Sequence, residues 1–263
     1  NGEVYNYQKL QAILKERGYI FHTNSDTEVI LKCYEEYGLK FINKLRGQFA
    51  IGIWDDRKKQ LILARDRLGQ KPLYYYNDQK VLAFSSEINS LISGLNNQFS
   101  INPNGLNHYL MLDYIPSPLS IYKGVKKLPA AHLLICKSSG LELIKYWRID
   151  DYVNTDSNKI SYEDSKNQLK RLLFESVKIR LMSEVPLGAF LSGGIDSSII
   201  VAIMAMQSEN PVNTFSIGLK NNPSSELNYA RKISEHFGTN HTEFEIDLDN
   251  YQILPHIIDM FGE

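Results

Sequence analysis

The sequence predicts an α/β protein, with a mixed α+β first half and a doubly wound parallel α/β second half. Three observations carry that expectation. Paired apolar runs around short polar turns fill residues 49–84, as in antiparallel hairpins. After residue 160, strand-like apolar runs alternate with helical patterns, the order that builds a parallel sheet. At the head of that second half, Leu187, Ala189, Phe190 and Leu191 run into Ser192-Gly193-Gly194, and Ile199, Ile200, Val201 and Met204 follow. That is a strand, a glycine turn and a helix N-terminus.

The elements follow in order. Leu10, Ile13 and Leu14 recur at helical spacing and stop at Gly18. Ser25-Asp26-Thr27-Glu28 reads as a capping box before Val29, Ile30, Cys33 and Tyr37, closed by Gly38. Residues 49–54 and 61–66 flank the charged turn Asp55-Asp56-Arg57-Lys58-Lys59 as one hairpin. Residues 72–76 and 81–84 form a second, and 86–92 a short helix. Residues 113–147, with Pro116, Pro118 and Pro129, read as an ordered crossing segment ending at Tyr146-Trp147. The polar run 150–159 is the linker candidate. Ser161 caps a helix carrying Leu169, Leu172, Leu173 and Val177 on one face. Strands at 212–218 and 241–246 then alternate with helices at 226–237 and 249–261.

Composition narrows the function classes. A chain of 263 residues suits one large domain or two medium ones. Net charge of −1 argues against a general nucleic-acid or membrane-surface binder. No apolar run approaches the ~20 residues that span a bilayer. Two cysteines, Cys33 and Cys136, suggest neither a disulfide framework nor a cysteine-rich metal site, which points to a reducing, cytoplasmic setting. His22, His108, His236, His241 and His256 show no zinc-ligand spacing. The chain starts at Asn1 and stops just after an amphipathic stretch, so both ends are expected to be cut from something longer.

The glycine turn carries the chemistry. Backbone N–H groups at a strand-to-helix junction have no intrahelical partner, and the helix dipole adds positive potential, so phosphate binds there. Gly193 and Gly194 let the backbone approach an anion, while Ser192, Ser197 and Ser198 add hydroxyls. Asp196 suits such a place if Mg²⁺ bridges it to phosphate. The tripeptide alone also fits an ordinary structural turn. The full string Ser-Gly-Gly-Ile-Asp-Ser-Ser resembles the pyrophosphate loop of the ATP pyrophosphatases, which implies ATP contacts at Leu191, Ser192, Gly193, Gly194, Asp196, Ser197 and Ser198, with Mg²⁺ on Asp196. Phe215-Ser216-Ile217-Gly218-Leu219 resembles their adenine-contacting segment, which adds Ile217.

Asn1-Gly2-Glu3-Val4-Tyr5-Asn6 alone is a turn before a helix. Together with Ser25-Asp26-Thr27-Glu28 it resembles the glutamine site of class II glutamine amidotransferases. The resemblance implies an N-terminal-nucleophile αββα sandwich. It also implies an oxyanion hole from Asn1 and Gly2, and glutamine contacts at Asn1, Glu3 and Asp26. Asp26 also reads as a helix cap. Residues 64–75 and 83–87 resemble the same family, although Arg65-Asp66-Arg67 on its own reads as a surface ion-pair run of little energetic weight.

Both segments in this order resemble the glutamine-hydrolysing asparagine synthetases. That resemblance implies a glutaminase part over residues 1–149 and an ATP pyrophosphatase-like part over 160–263. Glutamine, aspartate and ATP are the implied partners, ATP and Mg²⁺ the cofactors, and a homodimer is compatible with it. The family's cysteine nucleophile, the arginine that grips glutamine, and a second Ser-Gly-x-Gly-x-Asp-Glu loop have no counterpart here. Two alternatives stay open: the same chemistry on another carboxylate, such as a polysaccharide sugar or a lactam precursor, and a catalytically incomplete binding module.

Overall fold

The computed structural model describes residues 1–78, 80–95, 98–153, 160–182, 186–219, 225–246 and 254–261. The chain divides into two compact units, Asn1–Val153 with Leu254–Glu263, and Asn154–Ile253.

In the first unit, β1 (Gly2–Val4), β2 (Gly47–Asp55), β3 (Gln60–Arg65), β7 (His132–Lys137) and β8 (Gly140–Lys145) form one antiparallel sheet in that order. A second antiparallel sheet orders β5 (Leu82–Ser85), β4 (Tyr74–Asn77) and β6 (Val125–Lys127). Period-2 alternation sorts the side chains into layers. Phe49, Ile53, Ile62, Ala64 and Leu133 face Leu10 and Leu14 of α1 (Tyr7–Glu16) and Val29, Ile30 and Cys33 of α2 (Asp26–Tyr37). Their neighbours Ala50, Leu63, Leu134 and Cys136 face the other way, onto Tyr75 of the second sheet. On that sheet's far side, Tyr74 and Tyr76 meet Ile88 and Leu91 of α3 (Ile88–Leu95). The layers are helix, sheet, sheet, helix, as expected.

Two expectations for this unit change. The stretch 113–147 is more than a crossing segment, because β6, β7 and β8 lie inside it and supply strands to both sheets. Leu133, Leu134, Ile135 and Cys136 are all buried, which a strand covered on both faces requires. Helix α4 (Pro103–Leu112) gave no sign in the periodicity, since Leu106, Leu110 and Met111 are exposed. Its signal is local: the Asn102 side chain caps it and Pro103 occupies its first turn. A last helix, α8 (Leu254–Phe261), groups with this unit, and its Asp259 carbonyl accepts from Asn89 Nδ2 at 2.8 Å. The proposed start of that helix, residues 249–253, and the linker residues 154–159 lie outside the described residues.

In the second unit, β9 (Gly188–Phe190), β10 (Asn213–Leu219) and β11 (Asn240–Ile246) are parallel, with β10 central. Helix α6 (Ile195–Gln207) follows β9, and α7 (Leu227–Phe237) follows β10. Leu191, Val201 and Ala230 form one buried cluster. Val177 of α5 (Tyr162–Lys178) joins Ile203, Met204 and Val212 in another. Antiparallel strands dominate the whole chain, and this parallel sheet supplies its α/β part.

Candidate functional site

The sites are built from strand ends. Asn1 and Ala50 exchange both backbone hydrogen bonds, at 3.1 and 2.8 Å, so they are a hydrogen-bonded antiparallel pair. The next pair, Gly2 opposite Phe49, is therefore the non-bonded type, and the Gly2 N–H points away from β2. Two residues on, the Val4 N–H points the same way and donates to Asp26 Oδ2 at 2.9 Å. Gly2 N–H and the Asp26 carboxylate thus share one edge of β1, roughly 7 Å apart along the strand. Gly2 has φ +119°, and a Cβ there would overlap the Gln48 carbonyl oxygen. No other residue fits that position.

Asn1, Gly2, Glu3 and Asp26 all line one cavity of about 620 Å³, which Ile51, Ile53 and Trp54 also line. The four residues expected to serve glutamine are brought together. Asp26 is not the helix cap. Ser25 fills that role by accepting the Thr27 N–H at 3.1 Å, which leaves the Asp26 carboxylate for β1 and the cavity.

Glu28 also departs from a simple capping box. Its carboxylate passes over the cap and accepts from the backbone of His22 (3.0 and 3.2 Å), the backbone of Thr23 (2.7 Å) and Thr23 Oγ1 (2.7 Å). The His22 backbone bond leads these in lowering its pKa from 4.5 to about 2. A lowered carboxylate pKa stabilises the fold fully above the unfolded value, and that share disappears as pH falls through the folded value. The stability gap between the wild type and Glu28→Gln should therefore be complete above about pH 4.5 and close toward pH 2. Urea midpoints at pH 6, 4 and 3 read this directly, and a gap that does not change with pH would refute it.

Arg65-Asp66-Arg67 corrects the expectation of a surface ion-pair run. Asp66 is only 1% exposed. Its carboxylate accepts N–H bonds from Phe49, Leu68, Gln70 and Lys71 at 3.0–3.2 Å. Arg65 donates to the carbonyls of Lys71, Leu128 and Gly69. Burial lowers its guanidinium pKa. The two residues tie the loop 66–71 to β2 at Phe49, the residue opposite Gly2.

In the second unit the glycine turn leaves β9 as anticipated. Leu191 is buried, and its carbonyl accepts the Ser216 hydroxyl. Ser192 Oγ and Ser197 Oγ bond each other at 2.9 Å, and Ser192 Oγ also accepts the Gly194 N–H. Helix α6 has no side-chain cap, so the N–H groups of its first turn face outward. Ser198 Oγ is enclosed and has no hydrogen-bond partner. Asp196 is exposed in the first turn of α6. Among the described residues no group of three or more His, Cys, Asp or Glu could hold a metal ion. A single carboxylate beside a phosphate site suits Mg²⁺ that arrives with its phosphates. Phe215 pairs with Phe190, so Ile217 stands level with Ser192, exposed at the carboxyl end of β10.

Residues 1–147 match the glutamine amidotransferase domain family. The chain belongs to that family. Residues 168–263 match the asparagine synthase family. The putative asparagine synthetase [glutamine-hydrolyzing] 2 of Methanocaldococcus jannaschii is 38% identical over 263 residues, covering 95% of this chain and 50% of the relative. Asparagine synthetase [glutamine-hydrolyzing] 3 of Bacillus subtilis is 34% identical over 256 residues, covering 92% and 41%. Amidase chry2 of Gibberella zeae is 36% identical over 208 residues, covering 78% and 30%. The chain spans half or less of the length of these relatives. Among the described residues no helix of this amidotransferase-family chain is long and apolar enough to cross a membrane.

Proposed function

We propose that this chain carries the glutamine-binding and ATP-binding parts of an amide-forming synthetase. Residues 1–149 take glutamine and residues 160–263 take ATP. The convergence of Asn1, Gly2, Glu3 and Asp26 on one cavity carries the first half of this reading. The uncapped α6 N-terminus, with the enclosed Ser198 hydroxyl, supports the second.

In this reading the Asp26 and Glu3 carboxylates hold the α-amino end of glutamine. When a cysteine thiolate, the family's nucleophile, which has no counterpart among these residues, attacks the side-chain carbonyl, the Asn1 amide and the outward Gly2 N–H stabilise the oxyanion. Ammonia leaves, and water hydrolyses the resulting acyl-enzyme to glutamate. An aspartate carboxylate attacks the α-phosphate of ATP and pyrophosphate leaves. The ammonia then attacks the resulting acyl-adenylate, and AMP departs. Leu191, Ser192, Gly193, Gly194, Ser197 and Ser198 surround the phosphates, and Ile217 meets the adenine. Mg²⁺ bound at Asp196 would neutralise phosphate charge. The cytoplasm is the compartment this chemistry implies.

Calorimetric titration with ATP tests the second half. Asp196→Ala is expected to weaken binding about tenfold when Mg²⁺ is present, equivalent to ~1.4 kcal/mol, and to change little when it is absent. Equal affinity in both conditions would remove Asp196 from metal binding. The same chemistry on another carboxylate, such as a polysaccharide sugar acid, is the second reading. Product analysis with aspartate and with a uronic acid separates the two, and aspartate is the expected substrate.

A further inference from the structure

Thr23 and Ser25 of the loop 22–25 line the cavity proposed for glutamine, yet His22, Thr23, Asn24 and Ser25 are all exposed. Little apolar packing can hold the loop's shape, so polar bonds must. They form a relay. Glu28 accepts from the His22 and Thr23 backbones and from Thr23 Oγ1. Thr23 Oγ1 accepts the Ser25 N–H at 3.2 Å, and Ser25 Oγ accepts the Thr27 N–H. The relay runs from Ser25 to Thr27 across Asp26 in sequence, and the Asp26 carboxylate holds β1 through Val4 and accepts from Thr27 Oγ1.

In an ordinary capping box the glutamate serves the N–H of the cap residue. Here Thr23 serves that N–H, and the glutamate reaches two and three residues further back. The helix would be capped without it, whereas the loop would not be held. We infer that Glu28 is a positioning residue for glutamine: it fixes the loop 22–25 and, through it, the direction of the Asp26 carboxylate. This rests on the glutamine reading above. An acceptor with two oxygens is required, because three donors converge on it. Glutamine at this position would turn an NH₂ group toward other donors.

L-Glutamine is titrated into the protein and its variants and followed by amide NMR, which reads weak binding. Glu28→Gln is expected to raise the glutamine Kd about tenfold and to move the His22 and Thr23 amide signals. Thr23→Val is expected to raise it about threefold. The double variant should be no weaker than Glu28→Gln, because both act through one relay. Affinity for Mg²⁺-ATP serves as the control and should not change. A glutamine Kd within twofold of wild type in Glu28→Gln overturns the inference, as does a multiplicative double variant or a parallel loss of ATP affinity. Absence of any glutamine-dependent shift in the wild type overturns the glutamine reading as well.

Discussion

Asp66→Ala should lower the unfolding free energy of the first unit by about 4 kcal/mol, the range found when one side of a buried charged network is removed. The carboxylate is buried and accepts four backbone N–H groups. Alanine leaves those donors unpaired in a place water reaches poorly, and each unpaired donor costs ~1–3 kcal/mol before relaxation. Some relief comes from loop movement, so the whole is smaller than the sum. Asp66→Asn should also destabilise, since its NH₂ group faces donors. For a unit of this size the alanine variant should melt roughly 8–16 °C lower. Urea and thermal unfolding measure both, and a loss below about 1 kcal/mol would show that the four bonds carry little net weight. The effect should also reach the cavity proposed for glutamine. Phe49, which donates to Asp66, stands opposite Gly2, so a loosened β2 loosens the strand that aims the Gly2 N–H.

That residue shows where the sequence stops being legible. Arg65-Asp66-Arg67 has the composition of a solvated surface, and nothing local says that its carboxylate turns inward. Only the return of the chain at Leu128 and Ala131, more than sixty residues later, encloses it. The strands β6, β7 and β8 escaped for a similar reason. Their flanking prolines suggested a connection, while the partners of β7 and β6, in β3 and β4, are remote in sequence, and β8 only pairs back onto β7. What was legible was local: the glycine turn, the Ser25 cap, and the paired apolar runs of β2 and β3. That Asn1, Gly2, Glu3 and Asp26 belong to one site was legible because their spacing matched a known pattern. The outward direction of the Gly2 N–H came only from the register with β2. Glu28 was visible as part of a capping box, but its reach to His22 and Thr23 was not.

The adjacent glycines of the loop proposed for ATP should respond in opposite ways to one methyl group. Gly193 has φ +78°, where alanine is strained by about 1–2 kcal/mol. Its Cβ would also stand 2.5 Å from Tyr229 Cβ and 2.6 Å from the Ala230 nitrogen. Those atoms belong to α7 near its backbone, so no rotamer change removes the clash, and α7 must shift. Gly194 has φ −69° and ψ 162°, an ordinary extended conformation, and the nearest atom to its Cβ would be Ser192 Oγ at 3.3 Å. Gly193→Ala is therefore expected to destabilise the second unit by about 3 kcal/mol through strain and displaced packing. Gly194→Ala is expected to leave stability within about 1 kcal/mol, because its backbone suits alanine. Its effect should fall on the ligand instead. The Gly194 Cα is exposed at the start of α6, where a phosphate would approach the free N–H groups, so ATP affinity should fall about tenfold with the melt unchanged. Equal stability losses in the two variants would contradict the close packing of Gly193 on α7. Unchanged ATP affinity in Gly194→Ala would move the phosphates away from the α6 N-terminus, and with them the role given to Asp196.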